Sequence, residues 1–152
     1  MQQFIEIFTN ISLLCAIVGW FLAQILKIVV VTAQNRRFTF VSLVSSGGMP
    51  SSHSAAVCAL TVSIGMNEGF GSCLFALAVL FSFIVMYDAT GVRRETGRQA
   101  RVLNSIIEDL GNGSPEDFPK HLKELIGHSP VQVFAGAILG VLTGVVLNFI
   151  LQ

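Results

Sequence analysis

Charge is what this sequence has least of. Charged residues make up 12% of its 152 positions against 53% hydrophobic ones, and the mean hydropathy is +0.72. That balance excludes a water-soluble globule wearing a charged surface. Nine Lys and Arg cancel nine Asp and Glu to zero net charge, so the surplus of basic groups that a nucleic-acid binder needs is missing as well. The three cysteines, Cys15, Cys58 and Cys73, sit in apolar runs without CxxC or Cys/His spacing. This pattern excludes a disulfide framework and a zinc site and leaves the cysteines as small apolar filler. Neither a metal nor any other cofactor is implied. Repeats and low-complexity segments are absent, and the first apolar run lacks the basic n-region of a cleaved signal peptide.

What is abundant is long apolar sequence. Four runs, at about 11–31, 50–67, 70–87 and 131–151, approach the roughly 20 residues a helix needs to cross a bilayer. The second is short and reaches crossing length only if its helix starts at Pro50. Asn67, Glu68 and Gly69 then make a turn into the third. The fold expected is all-α: a polytopic membrane helical bundle of about four transmembrane helices, one domain over residues 1–152. A polar segment, 88–128, separates the third and fourth crossings. In it Val102, Ile106, Ile107 and Leu110 recur at helical spacing, as do Leu122 and Leu125 after Pro119. This predicts two short interfacial helices interrupted by the Gly111-Asn112-Gly113-Ser114-Pro115 run.

The basic residues are unevenly placed. Lys27, Arg36, Arg37, Arg93, Arg94, Arg98, Arg101, Lys120 and Lys123 all fall at the end of the first crossing or in the connections after the first and third. Those positions share one side. By the bias of Lys and Arg toward cytoplasmic loops, that side faces the cytoplasm and both termini face outward. Basic residues gathered to bind phosphate would produce the same asymmetry.

Chemistry-bearing residues collect on that side. Gly47-Gly48-Met49-Pro50-Ser51-Ser52-His53-Ser54 joins a glycine pair to proline, hydroxyls and an imidazole at a helix start, where unpaired amides and the helix dipole favour an anion. Simple capping by Ser is the plainer account. His128 opens the fourth crossing, and Gln132, Gly136, Gly140 and Gly144 follow at intervals of four, which puts all five on one stripe. The glycines permit close approach of a neighbouring helix, in this chain or in a second copy, and that stripe is the expected face for homo-oligomer contact. A structural His128 is the competing reading. Lys27 sits near the cytoplasmic end of the first crossing, where it either snorkels to the headgroups or faces the same interface as His53 and His128.

Pro50-Ser51-Ser52-His53-Ser54 resembles the second motif of the type 2 phosphatidic acid phosphatases and vanadium haloperoxidases. His128-Ser129-Pro130-Val131-Gln132-Val133-Phe134-Ala135-Gly136 resembles their third. Asp88-Ala89-Thr90-Gly91-Val92-Arg93-Arg94, continued by Gly97, Gln99, Ala100, Leu103 and Asn104, is similar to the hallmark of the divergent PAP2 family of small bacterial and plant membrane proteins. The resemblance implies a PAP2-like core in a bacterial inner membrane and a phosphoryl-transfer site acting on a membrane lipid phosphate or pyrophosphate. His128 would be the nucleophile and His53 the acid. Lys27, Arg36, Ser51, Ser52, Arg93 and Arg94 would hold phosphate, and Gln132 and Asp88 would orient. Such groups suit phosphoryl transfer, because cations and helix-end amides stabilise phosphoryl oxygens and two histidines divide the nucleophile and acid roles.

The sequence also departs from the active phosphatases. Lys27 and Arg36 are nine apart rather than seven, Ser52 replaces a glycine, and Leu122 replaces the third-motif arginine. Gln132 stands in place of an aspartate. An amide fixes a ring but cannot stabilise an imidazolium, and the analogous change in a serine protease lowers turnover about ten-thousandfold. A phosphatase is therefore the leading expectation and a catalytically inactive lipid-phosphate binder or transporter the alternative. An interfacial anchor at Asp88–Arg94, binding acidic headgroups, is the plain reading of the basic cluster.

Overall fold

The computed structural model describes residues 2–35, 48–110, 122 and 127–151, and all of its regular structure there is α-helical. In chain order the helices are α1 (Gln2–Thr9), α2 (Ile11–Asn35), α3 (Ser52–Glu68), α4 (Cys73–Thr90), α5 (Val92–Leu110) and α6 (Pro130–Leu151). The protein is a polytopic helical membrane bundle.

Small polar residues set the helix starts. Asn10 Oδ1 accepts the Leu13 amide at 3.0 Å, Ser51 Oγ the Ser54 amide at 3.4 Å, and Ser72 Oγ the Phe75 amide at 3.1 Å. Each satisfies a first-turn N–H that has no carbonyl partner within its own helix. Ser72 therefore starts the third crossing at Cys73, three residues later than the apolar run suggests. Gly69, at φ +91°, turns the chain out of α3 in a conformation an L side chain rarely adopts.

The register follows from paired contacts. Ser12 and Ser63 share a 3.0 Å hydrogen bond and Gly19 lies against Ala55 and Ala59, so α2 runs antiparallel to α3. Thr61 bonds the Ala78 carbonyl and the Ser82 hydroxyl, and Gly65 lies against Phe70 and Phe75, so α4 is antiparallel to α3 as well. In contrast, Gly136 meets Ser51, Gly140 meets Ala55, Gly144 meets Ala59, and Asn148 bonds Ser63. That four-residue step along both chains makes α6 parallel to α3. The glycine stripe thus finds its neighbour within the chain, and a second copy could use this face only by opening that packing.

α3 is the central element, packed by α2, α4 and α6. Its 17 residues span about 26 Å, slightly less than a hydrocarbon core. Among the described residues three stretches are long and apolar enough to cross a membrane: Ile11–Ala33, Cys73–Ile107, which runs beyond α4 into α5, and Pro130–Leu151. Their outward residues, including Phe21, Leu80, Phe83, Phe134 and Phe149, are exposed, as lipid-facing side chains are. The α3–α6 seam is made of small residues, the usual device where lipid removes any hydrophobic gain from helix association. At the end away from Lys27, buried Asn148 ties three helices together. It donates to Cys15 Sγ and the Gly144 carbonyl and accepts from Ser63 and Asn67.

Two further features differ from the sequence expectation. α1 precedes the first crossing as a separate helix, and the polar segment opens with one 19-residue helix, α5, rather than a short one. α5 follows α4 across Gly91 and buries Gly97, Ala100 and Asn104 while exposing Arg98, Arg101 and Val102. The expected break at 111–115 and the second interfacial helix lie outside the described residues, apart from Leu122.

Candidate functional site

Because α2 and α4 run against α3 and α6, one end of the bundle gathers the last turns of α2 and α4 and the first turns of α3 and α6. Two helix N-termini lie side by side there. Their first-turn amides and the positive ends of both dipoles face the same region, the local chemistry that holds an oxyanion. The two starts are tied directly, since the Ser51 amide donates to the Gln132 carbonyl at 3.0 Å. Gly136 makes this possible. A methyl on its Cα would collide with the Ser51 carbonyl and lie 3.1 Å from the Ser51 nitrogen.

Ser129, Pro130 and Gln132 form a capping box at the start of α6. Gln132 N donates to Ser129 Oγ at 3.4 Å, Ser129 N donates back to Gln132 Oε1 at 3.0 Å, and Pro130 occupies the position where no amide partner is needed. Gln132 Oε1 also lies 3.2 Å from His128 Nδ1. An oxygen that already accepts a backbone N–H cannot be the amide nitrogen, so the flip of Gln132 is fixed. The ring partner must then be an Nδ1–H donor. Neutral His128 consequently carries its lone pair on Nε2. The His128 amide donates to Ala89 O at 3.1 Å, which anchors the residue to the last turn of α4, and the side chain is only 3% exposed.

Lys27 is 2% exposed, which is at odds with snorkelling to the headgroups. Its stem lies against Gly48, where an added Cβ would fall 3.1 Å from Lys27 Cγ. Gly48 has φ +108° and stands three residues before the α3 cap, so the glycine turn folds over the lysine and brings it beside the Ser51 end. Ser51 and Ser52 are buried there, and Ser54 Oγ donates to Ser51 Oγ at 3.0 Å.

The other expected residues are distributed around this end. His53 is exposed in the first turn of α3, at the same end as buried His128. Asp88 is half-buried in the last turn of α4, next to the residue that anchors His128. Arg93 and Arg94 belong to the first turn of α5, but their side chains lie outside the described set, as do Arg36, Arg37, Lys120 and Lys123 altogether. Arg98 is exposed and pairs with Glu95 at 2.7 Å on its own helix. Among the described residues no group of three His, Cys, Asp or Glu is placed to hold a metal ion.

Two residues that lie within the quoted motifs had no role assigned from sequence. Ser129 was readable as Ser-Pro-x-Gln, a capping signature. Asn104, 7% exposed, clasps the backbone of Leu122, donating to its carbonyl at 3.0 Å and accepting its amide at 2.9 Å. It thereby fixes the chain six residues before His128, and no local pattern announces this.

The chain is similar to known proteins over most of its length. The Divergent PAP2 family matches residues 8–143. An uncharacterized membrane protein of Bacillus subtilis (strain 168), YuiD, is 40% identical over 154 aligned positions, covering 95% of this chain and 98% of its own length. No solved structure matches the chain. With the family match extending over most of the sequence and including both histidine motifs, the chain belongs to the divergent PAP2 family.

Proposed function

We propose that this protein is a lipid-phosphate or lipid-pyrophosphate phosphatase that works through a phosphohistidine. The observation that carries the reading is the His128–Gln132 contact, which leaves the lone pair of neutral His128 on Nε2, at the end of the bundle that also holds two helix N-termini and buried Lys27. In the first step Nε2 forms a bond to phosphorus while the phosphorus–oxygen bond to the lipid breaks, and the departing oxygen takes a proton from His53. In the second, His53 removes a proton from water, the resulting hydroxide attacks phosphorus, and the phosphorus–nitrogen bond breaks to release phosphate and restore His128. Lys27, Ser51 and the helix-end amides stabilise charge on the phosphoryl oxygens, aided in this reading by Ser52, Arg36, Arg93 and Arg94. Asp88 helps to hold the α4 end against His128. The site faces the cytoplasm of a bacterial inner membrane, with the lipid chains in the bilayer.

A second reading is favoured by one observation, the neutral charge of Gln132. A binder or transporter keeps the phosphate pocket without turnover. The two part in a single experiment on detergent-purified protein. A phosphatase releases inorganic phosphate from phosphatidate, accumulates an acid-labile phosphoprotein, and loses both in His128→Ala. A binder retains phosphatidate but shows neither, and equal phosphate release by His128→Ala would reject His128 as nucleophile.

A further inference from the structure

Gln24 lies on α2 three residues before Lys27, so the two side chains are neighbours on the helix surface and Gln24 is about 4.5 Å deeper in the bundle. Its Oε1 is buried and has no hydrogen-bond partner, the sole such side-chain atom among the described residues. Elsewhere the described interior is well matched: Thr61 and Ser82 bond each other and backbone carbonyls, and Ser63, Asn67 and Asn148 bond one another and neighbours on α2 and α6. An acceptor orphaned in a water-poor interior carries a penalty that a leucine at the same place would avoid. A carbonyl oxygen repels an anionic phosphate and requires a donor. If the phosphate of the site proposed above is held at the level of Lys27 and Ser51 and its chain runs toward the bilayer centre, the atoms just beyond the ester oxygen come to the depth of Gln24.

From this we infer that Gln24 selects lipid phosphates that carry a hydrogen-bond donor on the second carbon beyond the phosphate ester oxygen. A lysophosphatidate offers a hydroxyl there and a ceramide phosphate an amide N–H. Diacyl phosphatidates and polyprenyl phosphates have no donor at that carbon. The inference rests on the phosphate site proposed above and extends it from charge to the organic part of the ligand.

Equilibrium binding to purified protein in detergent tests it, since affinity does not depend on turnover. The ligands are 1-oleoyl lysophosphatidate, its 2-deoxy analogue with the same chain, and an N-oleoyl ceramide phosphate. The wild type binds lysophosphatidate about tenfold more tightly than the deoxy lipid, the size of one well-made buried hydrogen bond. Gln24→Leu brings the two to equal affinity by weakening lysophosphatidate alone, and its thermal midpoint equals or exceeds that of the wild type. Gln24→Met repeats the measurement with an unbranched side chain. A ceramide phosphate that binds better than the deoxy lipid extends the selection to amide donors, and one that does not confines it to hydroxyls. Equal wild-type affinities, or a preference that survives both substitutions, would overturn the assignment. Lys27→Met weakens all three lipids together. If no lipid phosphate binds the wild type, the phosphate site itself is wrong and this inference falls with it.

Discussion

Gln132→Glu is the substitution that bears most directly on the site. Glutamate matches glutamine in length, so a carboxylate oxygen takes the place of Oε1, 3.0 Å from Ser129 N and 3.2 Å from His128 Nδ1. The capping box survives, because Glu serves at its third position as well as Gln. Asp at the same site is one methylene shorter and gives up the reach to Ser129. The new charge sits in the first turn of α6, where the dipole favours an anion, and it would stabilise the imidazolium character that His128 takes on in the proposed phosphoryl transfer. Loss of the corresponding carboxylate in a serine protease triad costs about ten-thousandfold because it imposes the wrong tautomer, a penalty that Gln132 does not carry here. What Glu adds is the excess of a charged over a neutral hydrogen bond, about 1.4 kcal/mol, so turnover rises about tenfold. The assay is phosphate release from phosphatidate by wild type, Gln132→Glu, Gln132→Asp and Gln132→Leu in the same detergent. The expected order is Glu, then Asp, then wild type, then Leu. A Glu variant that binds phosphatidate but is no faster than the wild type would refute the claim that Gln132 acts through the His128 ring.

Two further outcomes follow from packing. Gly140→Ala places a methyl against the Ala55 carbonyl and 2.9 Å from its carbon, so α6 must move off α3. Overpacking costs about 1–3 kcal/mol, of which the better helix propensity of alanine returns up to about 1. Thermal unfolding in detergent should show a clear loss for Gly140→Ala and none for Gly71→Ala, where nothing lies within 4 Å. Asn104→Leu removes both bonds to the Leu122 backbone, at about 1–3 kcal/mol for the groups left unpaired. Hydrogen exchange at the Leu122 amide should accelerate at least tenfold while α2 amides are unchanged, and an unaltered Leu122 rate would count against the clasp.

Much of the bundle was legible because lipid makes simple demands. Apolar length alone predicts the crossings of α2, α4 and α6, and the four-residue glycine stripe predicts a close neighbour for α6. The partner was not legible. That Gly136, Gly140 and Gly144 meet Ser51, Ala55 and Ala59 depends on a parallel register, and each helix shows only its own half of that fit. α3 is the weakest signal for a related reason. A helix enclosed by three others need not be apolar, and it keeps Ser54, Thr61 and Ser63 because neighbouring helices and its own cap satisfy them.

The site divides in the same way. The four-residue spacing of His128 and Gln132 puts their contact on one helical turn, and Ser129-Pro130-x-Gln132 specifies a cap, so local rules suffice for this half. Lys27 is different. By local rules a lysine near the end of an apolar helix reaches for the headgroups. Here the positive-φ turn at Gly48 closes over its stem, and only the antiparallel packing of α2 on α3 brings that turn within range. The cation and the two helix starts are therefore assembled by one piece of packing, the small-residue contacts around α3. Parallel neighbours place like dipole ends together, an arrangement that costs energy unless something negative offsets it. The Gly136–Ser51 contact holds them together nonetheless. A seam close enough to link the two helix starts by the Ser51–Gln132 hydrogen bond also sets two positive dipole ends side by side, so the structural glycine and the charge that the proposed phosphate site would use have a common physical origin.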